Sequence, residues 1–257
     1  ARFGKTRTNY KQRKSEMSPI LSVVVPVRNE ADNILPLIEE IHAALEGLHA
    51  FEVIYVNDGS NDATAVRLTE AGARFSRLRV LTHRESCGQS TAIHTGAEAA
   101  LGAWIVTLDG DGQNDPADIP ALIDIALGDQ GGRLHLVTGI RARRQDSWLK
   151  RVSSRAANAI RQFFLRDGVS DTGCGLKVMR REAFLRLPYF DHMHRYYPAL
   201  IMRGGGEIKC VDVNHRPRAR GVSNYGFWDR LWVGITDLFG VAWLARRAKR
   251  PSIEPES

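Results

Sequence analysis

Two carboxylates separated by one glycine stand directly after an apolar run near the middle of the chain, in the segment LDGDGQ at 108–113. Alternation along an extended chain places Asp109 and Asp111 on one side, and the glycines let the backbone approach a ligand. Carboxylate and amide oxygens suit Mg²⁺ or Mn²⁺, which also bind substrate phosphates. The pattern predicts that Asp109, Asp111 and Gln113 hold a divalent cation, with both aspartates in a catalytic role.

An Asp-Gly turn in a solvated loop has the same letters, so the surrounding elements decide between the two interpretations. Apolar, β-branched runs predict strands at 20–27, 51–56, 78–82, 104–108 and 134–139, with helices at 33–46, 62–76 and 88–100 between them. This alternation predicts an α/β fold, with a mostly parallel, Rossmann-like sheet covered by helices on both faces. Ligands bind at the carboxyl ends of such strands, where the turns 26–30, 57–60 and 109–113 are expected.

Five ordered segments resemble one enzyme family. They are SVVVPVRNEADNI at 22–34, VIYVNDGSNDAT at 53–64, IVTLDGDGQNDP at 105–116, DTGCGLKVMRREAF at 171–184 and NHRPRARGVSNYG at 214–226. Over roughly 20–245, the chain is similar to family 2 glycosyltransferases of the GT-A fold, and most similar to polyprenyl-phosphate glycosyltransferases such as dolichol-phosphate mannose synthases. The resemblance implies transfer of a sugar from a nucleotide diphosphate to a polyprenyl phosphate, with inversion and with Mg²⁺ or Mn²⁺.

The same resemblance assigns further residues to the donor. Pro26, Arg28 and Glu30 would line the nucleotide pocket together with Asp109, and Asp58 would contact the base or ribose. One departure is Asn57, which stands where the family often has a first aspartate. The role of that first carboxylate is therefore not carried over.

A second departure is Asn224, which stands where the family often has a lysine. Arg218, Arg220 and Ser223 are the candidates for contacts to the diphosphate in that loop. Asp171 matches a family position that acts as a base, positions the sugar or caps a helix. We expect His192, His194 and His215 to be structural or surface residues.

A basic segment follows the fifth predicted strand, with Arg141, Arg143, Arg144, Lys150, Arg151 and Arg155 against one acid, Asp146. If 150–164 is helical, Arg151, Ser154 and Arg155 share a face that suits a phosphate. The apolar side would then face the core through Val152, Ala156, Ile160 and Phe163. We predict that Arg141, Arg151, Ser154 and Arg155 bind the acceptor phosphate. A solvated basic face is the alternative.

The segment 228–246 predicts an amphipathic helix with three tryptophans and a basic end. Its apolar face comprises Trp228, Leu231, Trp232, Ile235, Leu238, Phe239, Ala242 and Trp243. This composition is typical of a helix at a membrane interface. The alternative is that the face packs on the domain or on a second copy of the chain, as in a homo-oligomer.

These elements divide the chain into a basic arm at 1–18, a catalytic domain at 19–226 and an interfacial helix with its basic end at 227–250. We read no membrane-spanning run and no signal peptide, and expect a peripheral protein on the cytoplasmic face of the membrane. The three cysteines lack the spacing of a zinc site and fit a reducing compartment, with thiols in or near the core.

Three other functions compete with this interpretation. A transferase with a carbohydrate acceptor usually carries Gln-X-X-Arg-Trp, which is absent from the sequence. A nucleic-acid-binding module would fit the net charge of +7, but no such motif is present and we expect no nucleic-acid partner. A catalytically dead scaffold is disfavoured because Asp109, Asp111 and Gln113 are all intact. The predicted partners are the nucleotide sugar, the lipid phosphate and the membrane surface.

Overall fold

The computed structural model of the chain describes residues 19–141, 158–217 and 227–249, with the backbone alone at 227–233. Its strands are β1 (Leu21–Val27), β2 (Phe51–Asp58), β3 (Leu78–His83), β4 (Trp104–Thr107), β5 (Leu134–Arg141), β6 (Lys177–Arg180) and β7 (Glu207–Val213). They form one sheet in the order β3-β2-β1-β4-β6-β5-β7. Only β6 is antiparallel to its neighbours among these strands.

The helices cover both faces of this sheet. They are α1 (Ile34–Leu45), α2 (Thr64–Arg74), α3 (Gln89–Ala99), α4 (Ile119–Leu127), α5 (Arg181–Leu185), α6 (Tyr197–Arg203) and α7 (Phe227–Arg246), and residues 158–165 are also helical. One core layer lies under α1, α2 and α4, and the other lies under α3, α5, α6 and α7. The predicted α/β class and both-face packing are confirmed.

The direction of β6 determines which residues lie at the edge of the sheet where the ligand is predicted to bind. Lys177 begins β6 and pairs with Thr107, the last residue of β4. It also pairs with Thr138 near the end of β5. Because β6 runs against its neighbours, its first residue lies at the same edge as the carboxyl ends of β1, β4 and β5. The sequence pattern predicts neither β6 nor β7.

The predicted core face of the helix at 150–164 is wrong in its described part. Ile160 and Phe163 are 55% and 73% exposed, whereas Arg161 is 9% exposed. The guanidinium of Arg161 pairs with the carboxylate of Asp167 and donates to the carbonyl of Val169. A charged side chain can be buried when a buried partner neutralises it, and this pair reverses the face that the apolar pattern indicates.

The helix α7 has its predicted place in the chain, but its apolar residues divide between two environments. Leu238, Val241 and Ala242 are buried in the second core layer. Phe239 and Trp243 are 56% and 59% exposed. The helix therefore docks on the domain along one side and presents aromatic rings along the other. Among the described residues, no helix is both long and apolar enough to cross a membrane.

Candidate active site

A cavity of about 620 Å³ opens at the edge of the sheet where β1 and β4 end. Its walls come from the ends of two strands, from the loop before α3, from the segment before β6 and from the segment before α6. They include Arg28, Ser86, Cys87, Gly88, Gln89, Asp109, Thr172, Gly173, Cys174, Gly175, Lys177, Asp191, His192, His194, Arg195 and Tyr197. The volume falls in the range of small-ligand sites in proteins.

Asp109 is held at the cavity wall from three directions. Its backbone N–H donates to Asn114 Oδ1 at 3.0 Å, and Gln89 Nε2 donates to its Oδ1 at 2.8 Å. Gly175 packs so closely that any side chain there would overlap the Asp109 carboxylate and the Asn114 amide. Burial raises the pKa of Asp109, and the neighbouring charge of Asp111 raises it further, against a lowering by Lys177.

Asp111 lies beside Asp109 and is only 8% exposed. The backbone N–H of Gln113 donates to Asp111 Oδ1 at 3.1 Å, across Gly112 with its φ of 73°. The Gln113 side chain donates to the Arg216 carbonyl at 3.4 Å. Burial is the main cause of the raised pKa of Asp109, and repulsion from the Asp111 carboxylate adds to it. A divalent cation would relieve that repulsion. The oxygen ligands of Asp109, Asp111 and Gln113 thus fit Mg²⁺ or Mn²⁺.

Asp58 is saturated with hydrogen bonds from the protein. Its Oδ1 contacts His83 Nδ1 at 2.7 Å and accepts from the Cys87 N–H at 2.8 Å. Its Oδ2 accepts from Ser86 Oγ at 2.8 Å and from the Gly88 N–H at 2.9 Å. A carboxylate has about four lone-pair positions, so this geometry favours holding the loop 86–88 over the direct nucleotide contact predicted from the sequence.

Replacing Asp58 with asparagine is expected to weaken nucleotide binding at least about tenfold and to lower stability by about 2 kcal/mol, since hydrogen bonds to a buried charge are lost. Burial would raise the pKa of Asp58, but the hydrogen bonds from Cys87, His83, Ser86 and Gly88 outweigh burial and lower it. The stability advantage over the variant should therefore be complete above the ordinary pKa of 3.8. It should disappear as the pH falls through the lowered folded value.

Calorimetry of nucleotide binding and denaturant unfolding at several pH values check the two halves of this prediction. Asp129→Asn is the control, since Asp129 also accepts a backbone N–H group, from Leu134, but is not among the residues that line the cavity. Unchanged nucleotide affinity in Asp58→Asn would remove Asp58 from the donor site in either role.

Asp171 and Arg141 meet in one ion pair, although the sequence assigns them to different roles. Arg141 Nε and its terminal nitrogen donate to the two carboxylate oxygens at 2.6 and 2.7 Å. Asp171 is 7% exposed. A carboxylate in a bidentate pair with a guanidinium is a weak base, because the cation stabilises the charged form. The pair favours a positioning role for Asp171.

Lys177 is a site residue that the sequence analysis misses. Its side chain is 4% exposed, and its ammonium donates to the carbonyls of Cys174 and Thr172. Burial lowers its pKa, while the charges of Asp109 and Asp171 raise it. A buried ammonium next to two acids at a cavity wall is suited to fixing the segment 172–174 and to balancing negative charge in the site.

The histidines are a second omission. His192 and His194 both line the cavity, a position that the expectation of structural or surface residues does not specify. His194 Nδ1 contacts Ser90 Oγ at 2.8 Å, and burial holds the pKa of His194 well below its usual value. His194 is therefore neutral at pH 7. Both histidines lie far from the acidic turn in the sequence, and no spacing of residues indicates that they line the same cavity.

Some of the remaining predicted site residues lie within the described part of the structure, and the others lie outside it. Arg28 lines the cavity with an exposed side chain. Pro26 lies within β1, and Glu30 accepts from Asn33 Nδ2 at 2.6 Å. Neither is among the residues that line the cavity, although both are predicted to line the nucleotide pocket. The predicted phosphate contacts of Arg151, Ser154, Arg155, Arg218, Arg220 and Ser223 lie outside the described residues.

Comparison with solved structures supports this architecture. A mannosyl-3-phosphoglycerate synthase from Rubrobacter xylanophilus superposes with a TM-score of 0.70 at 18% identity, over 95% of this chain and 80% of that one. A glucosyl-3-phosphoglycerate synthase from Mycobacterium tuberculosis, solved with Mn²⁺, UDP-glucose and glycerol 3-phosphate, gives 0.64 at 21% identity, over 98% and 87%. At these identities the likeness shows a shared fold, which is GT-A.

Curated proteins that match by sequence are more similar to this chain than these solved structures are, at 35% identity. A dodecaprenyl-phosphate galacturonate synthase from Rhizobium johnstonii is 35% identical over 90% of this chain and 69% of its own length. An undecaprenyl-phosphate 4-deoxy-4-formamido-L-arabinose transferase from Edwardsiella ictaluri is 35% identical over 80% of this chain and 63% of its own length. The chain thus matches about two thirds of these relatives. The family model for glycosyl transferase family 2 matches residues 22–187. This protein belongs to glycosyl transferase family 2.

Proposed function

We propose that this protein transfers a sugar from a nucleotide diphosphate to a polyprenyl phosphate at a membrane surface, with inversion at the anomeric carbon. The observation that carries the proposal is the acidic pair Asp109 and Asp111, of which Asp109 lines a cavity of about 620 Å³ and Asp111 is largely buried. The relatives from Rhizobium johnstonii and Edwardsiella ictaluri, both named for a polyprenyl phosphate, support the acceptor class.

The donor lies at the carboxyl ends of β1, β2 and β4 in this proposal. Asp109, Asp111 and Gln113 hold Mg²⁺ or Mn²⁺, which when bound neutralises the charge of the nucleotide diphosphate leaving group. Arg28 reaches the diphosphate from the cavity wall. We also assign Arg218, Arg220 and Ser223 to the diphosphate, because the segment 214–217 that leads to them lies against the acidic turn.

The acceptor needs positioning more than activation. A phosphate monoester has its second pKa at about 6, so its oxygen is already anionic at neutral pH. The protein must bring two anions together, which cationic side chains achieve electrostatically. Arg151, Ser154 and Arg155 are the proposed phosphate contacts, while the pair of Arg141 and Asp171 orders the adjoining wall. Attack in line with the departing diphosphate inverts the sugar.

An exposed apolar patch supports a membrane location. We define the apolar patch as Ile160, Phe163, Phe239 and Trp243, all more than half exposed. Phe164 joins its two helices, with ring centroids 5.4 Å from Phe163 and 5.2 Å from Phe239. The basic residues Arg246, Arg247 and Lys249 follow on the same helix end. Aromatic rings beside a basic cluster are typical of a peripheral surface for anionic lipid, here on the cytoplasmic face.

Changing both Phe163 and Phe239 to serine is expected to weaken binding to anionic liposomes at least about 100-fold, because each ring that becomes buried contributes about 1.5–3 kcal/mol and about 1.4 kcal/mol corresponds to a factor of ten. Transfer to a short, water-soluble acceptor should be retained. Liposome sedimentation checks this, with Leu48→Ser as the control, since Leu48 is 62% exposed outside the patch. Equal sedimentation of the double variant and the wild type would contradict the membrane assignment.

A donor screen tests the proposed function. Each nucleotide sugar is incubated with the protein, Mn²⁺ and a short polyprenyl phosphate, and release of nucleotide diphosphate is measured with and without the acceptor. We expect acceptor-dependent release for one class of donor. Release that responds only to a carbohydrate acceptor would favour the alternative transferase.

A further inference from the structure

A second group of side chains that could hold a metal ion lies apart from the acidic pair, and one of its members, Cys87, lines the cavity. Asp58, His83 and Cys87 each offer one ligand atom, and these atoms lie within 4.8 Å of one another. Asp58 and His83 come from the ends of neighbouring strands, which pair as Asp58 with His83 in the sheet. Cys87 comes from the loop that Asp58 holds, and its thiol is exposed.

The orientation of His83 suits a ligand. Its Nδ1 faces Asp58 Oδ1 at 2.7 Å, and its Nε2 contacts Thr95 Oγ1 at 3.0 Å. Metal-binding histidines generally use one ring nitrogen while the other donates to a neighbouring oxygen, which fixes the tautomer and the ring. Thr95, on α3, supplies that oxygen here. Only the proton on Nδ1 has to move to Nε2 for Nδ1 to become a ligand.

The ligand chemistry differs from that of the acidic pair. A thiolate, an imidazole and a carboxylate form a set that favours Zn²⁺, whereas all-oxygen sets favour Mg²⁺ and Mn²⁺. Three protein ligands leave a fourth tetrahedral position for water. The exposed thiol gives the ion a path from solvent. The two sites therefore differ in the metal that they select.

We propose that Asp58, His83 and Cys87 form a zinc site that inhibits nucleotide binding. On binding, Zn²⁺ forms bonds to the three side chains, the Cys87 thiol releases one proton to solvent, and the His83 proton moves from Nδ1 to Nε2. Asp58 Oδ1 then exchanges its contacts with His83 and the Cys87 N–H for the ion. Because the Cys87 N–H bond to Asp58 Oδ1 is one of the contacts that hold the loop 86–88 in the cavity wall, its loss shifts the wall at Cys87. The inhibitory half rests on the proposed nucleotide site.

Metal titration without substrates tests the site itself. Zn²⁺ affinity is measured by competition with a chromophoric chelator, and Co²⁺ is used as a spectroscopic probe for thiolate ligation. We expect Cys87→Ser to weaken Zn²⁺ binding about 100-fold and to remove the thiolate-to-cobalt absorption. Thr95→Val should weaken it about tenfold, as expected for loss of a supporting hydrogen bond.

Two controls are available in the chain. Cys210→Ser removes the other exposed thiol and should bind Zn²⁺ as the wild type does. Asp111→Asn measures how much Zn²⁺ the acidic pair takes. Equal Zn²⁺ affinity in the wild type and Cys87→Ser, with both folded by circular dichroism, would overturn the site.

The inhibitory half has its own readout. UDP affinity is measured with and without Zn²⁺ in the wild type and in Cys87→Ser, and the ratio is compared within each protein. We expect Zn²⁺ to weaken UDP binding at least about tenfold in the wild type and to have a much smaller effect in the variant. If Zn²⁺ binds but the UDP affinity is the same with and without Zn²⁺, the inhibition is overturned. Neither result depends on which acceptor the enzyme uses.

Discussion

Replacing Asp111 with alanine is expected to lower sugar transfer at least about 1000-fold, because a metal ligand contributes several kcal/mol to stabilising the charge that develops on the leaving group. The fold should remain intact. Asp111 is one of two carboxylates whose repulsion raises the pKa of Asp109, so its removal relieves unfavourable charge in the uncomplexed protein. The melting temperature without metal should equal or exceed that of the wild type.

Nucleotide diphosphate release at increasing Mn²⁺ measures the effect on transfer, and thermal unfolding without metal measures the effect on stability. Asp124→Ala is the control, since that carboxylate is 66% exposed on α4 and pairs with His49. We expect the control to keep full activity. Turnover at the wild-type rate in excess chelator would contradict the metal role of the acidic pair.

Replacing Lys177 with methionine is expected to lower transfer roughly 100-fold while leaving the protein folded. Methionine keeps the length of the side chain but removes the ammonium that holds the segment 172–174 and balances Asp109 and Asp171. Apolar replacement of a buried charge is often tolerated by the fold. Here Asp109 would lose the positive charge that lowers its pKa most, while Asp171 would keep its pair with Arg141.

Steady-state kinetics separate this role from a merely structural one. We expect a fall in kcat with a smaller change in KM for the donor, since Lys177 is placed beside the acidic pair and not beside the nucleotide loop 86–88. Lys209→Met, an exposed lysine on β7, is the matched control. Equal kcat in Lys177→Met and the wild type would remove Lys177 from the site.

The donor half of the fold could be predicted because its signals are local. The strands β1 to β5 are apolar runs bounded by polar turns, and α1 buries Ile34, Leu37, Ile38, Ile41 and Leu45 at helical spacing. By contrast, β6 has only four residues and carries charges at both ends. Its strand state depends on pairing with β4 across some 70 residues, which no local pattern indicates.

The site residues that the sequence pattern does not predict are also placed by contacts between distant parts of the chain. Asp58 contacts the loop 86–88, about 30 residues later in the chain. The sequence pattern does not show that the carboxylate oxygens of Asp58 already accept hydrogen bonds from this loop. Lys177 enters the site through the antiparallel direction of β6. Arg161 is buried because Asp167 is placed to receive it, against the helical apolar pattern. In each case a partner distant in the chain or the sheet decides the outcome.

In the proposed function, the sugar ends on a polyprenyl phosphate. The most direct measurement is mass spectrometry of the lipid fraction after the protein, Mn²⁺, the active nucleotide sugar and a polyprenyl phosphate have been incubated together. The proposal predicts a new lipid whose mass equals that of the acceptor plus one glycosyl unit, absent with Asp111→Ala. An unchanged lipid fraction alongside a glycosylated soluble acceptor would contradict it.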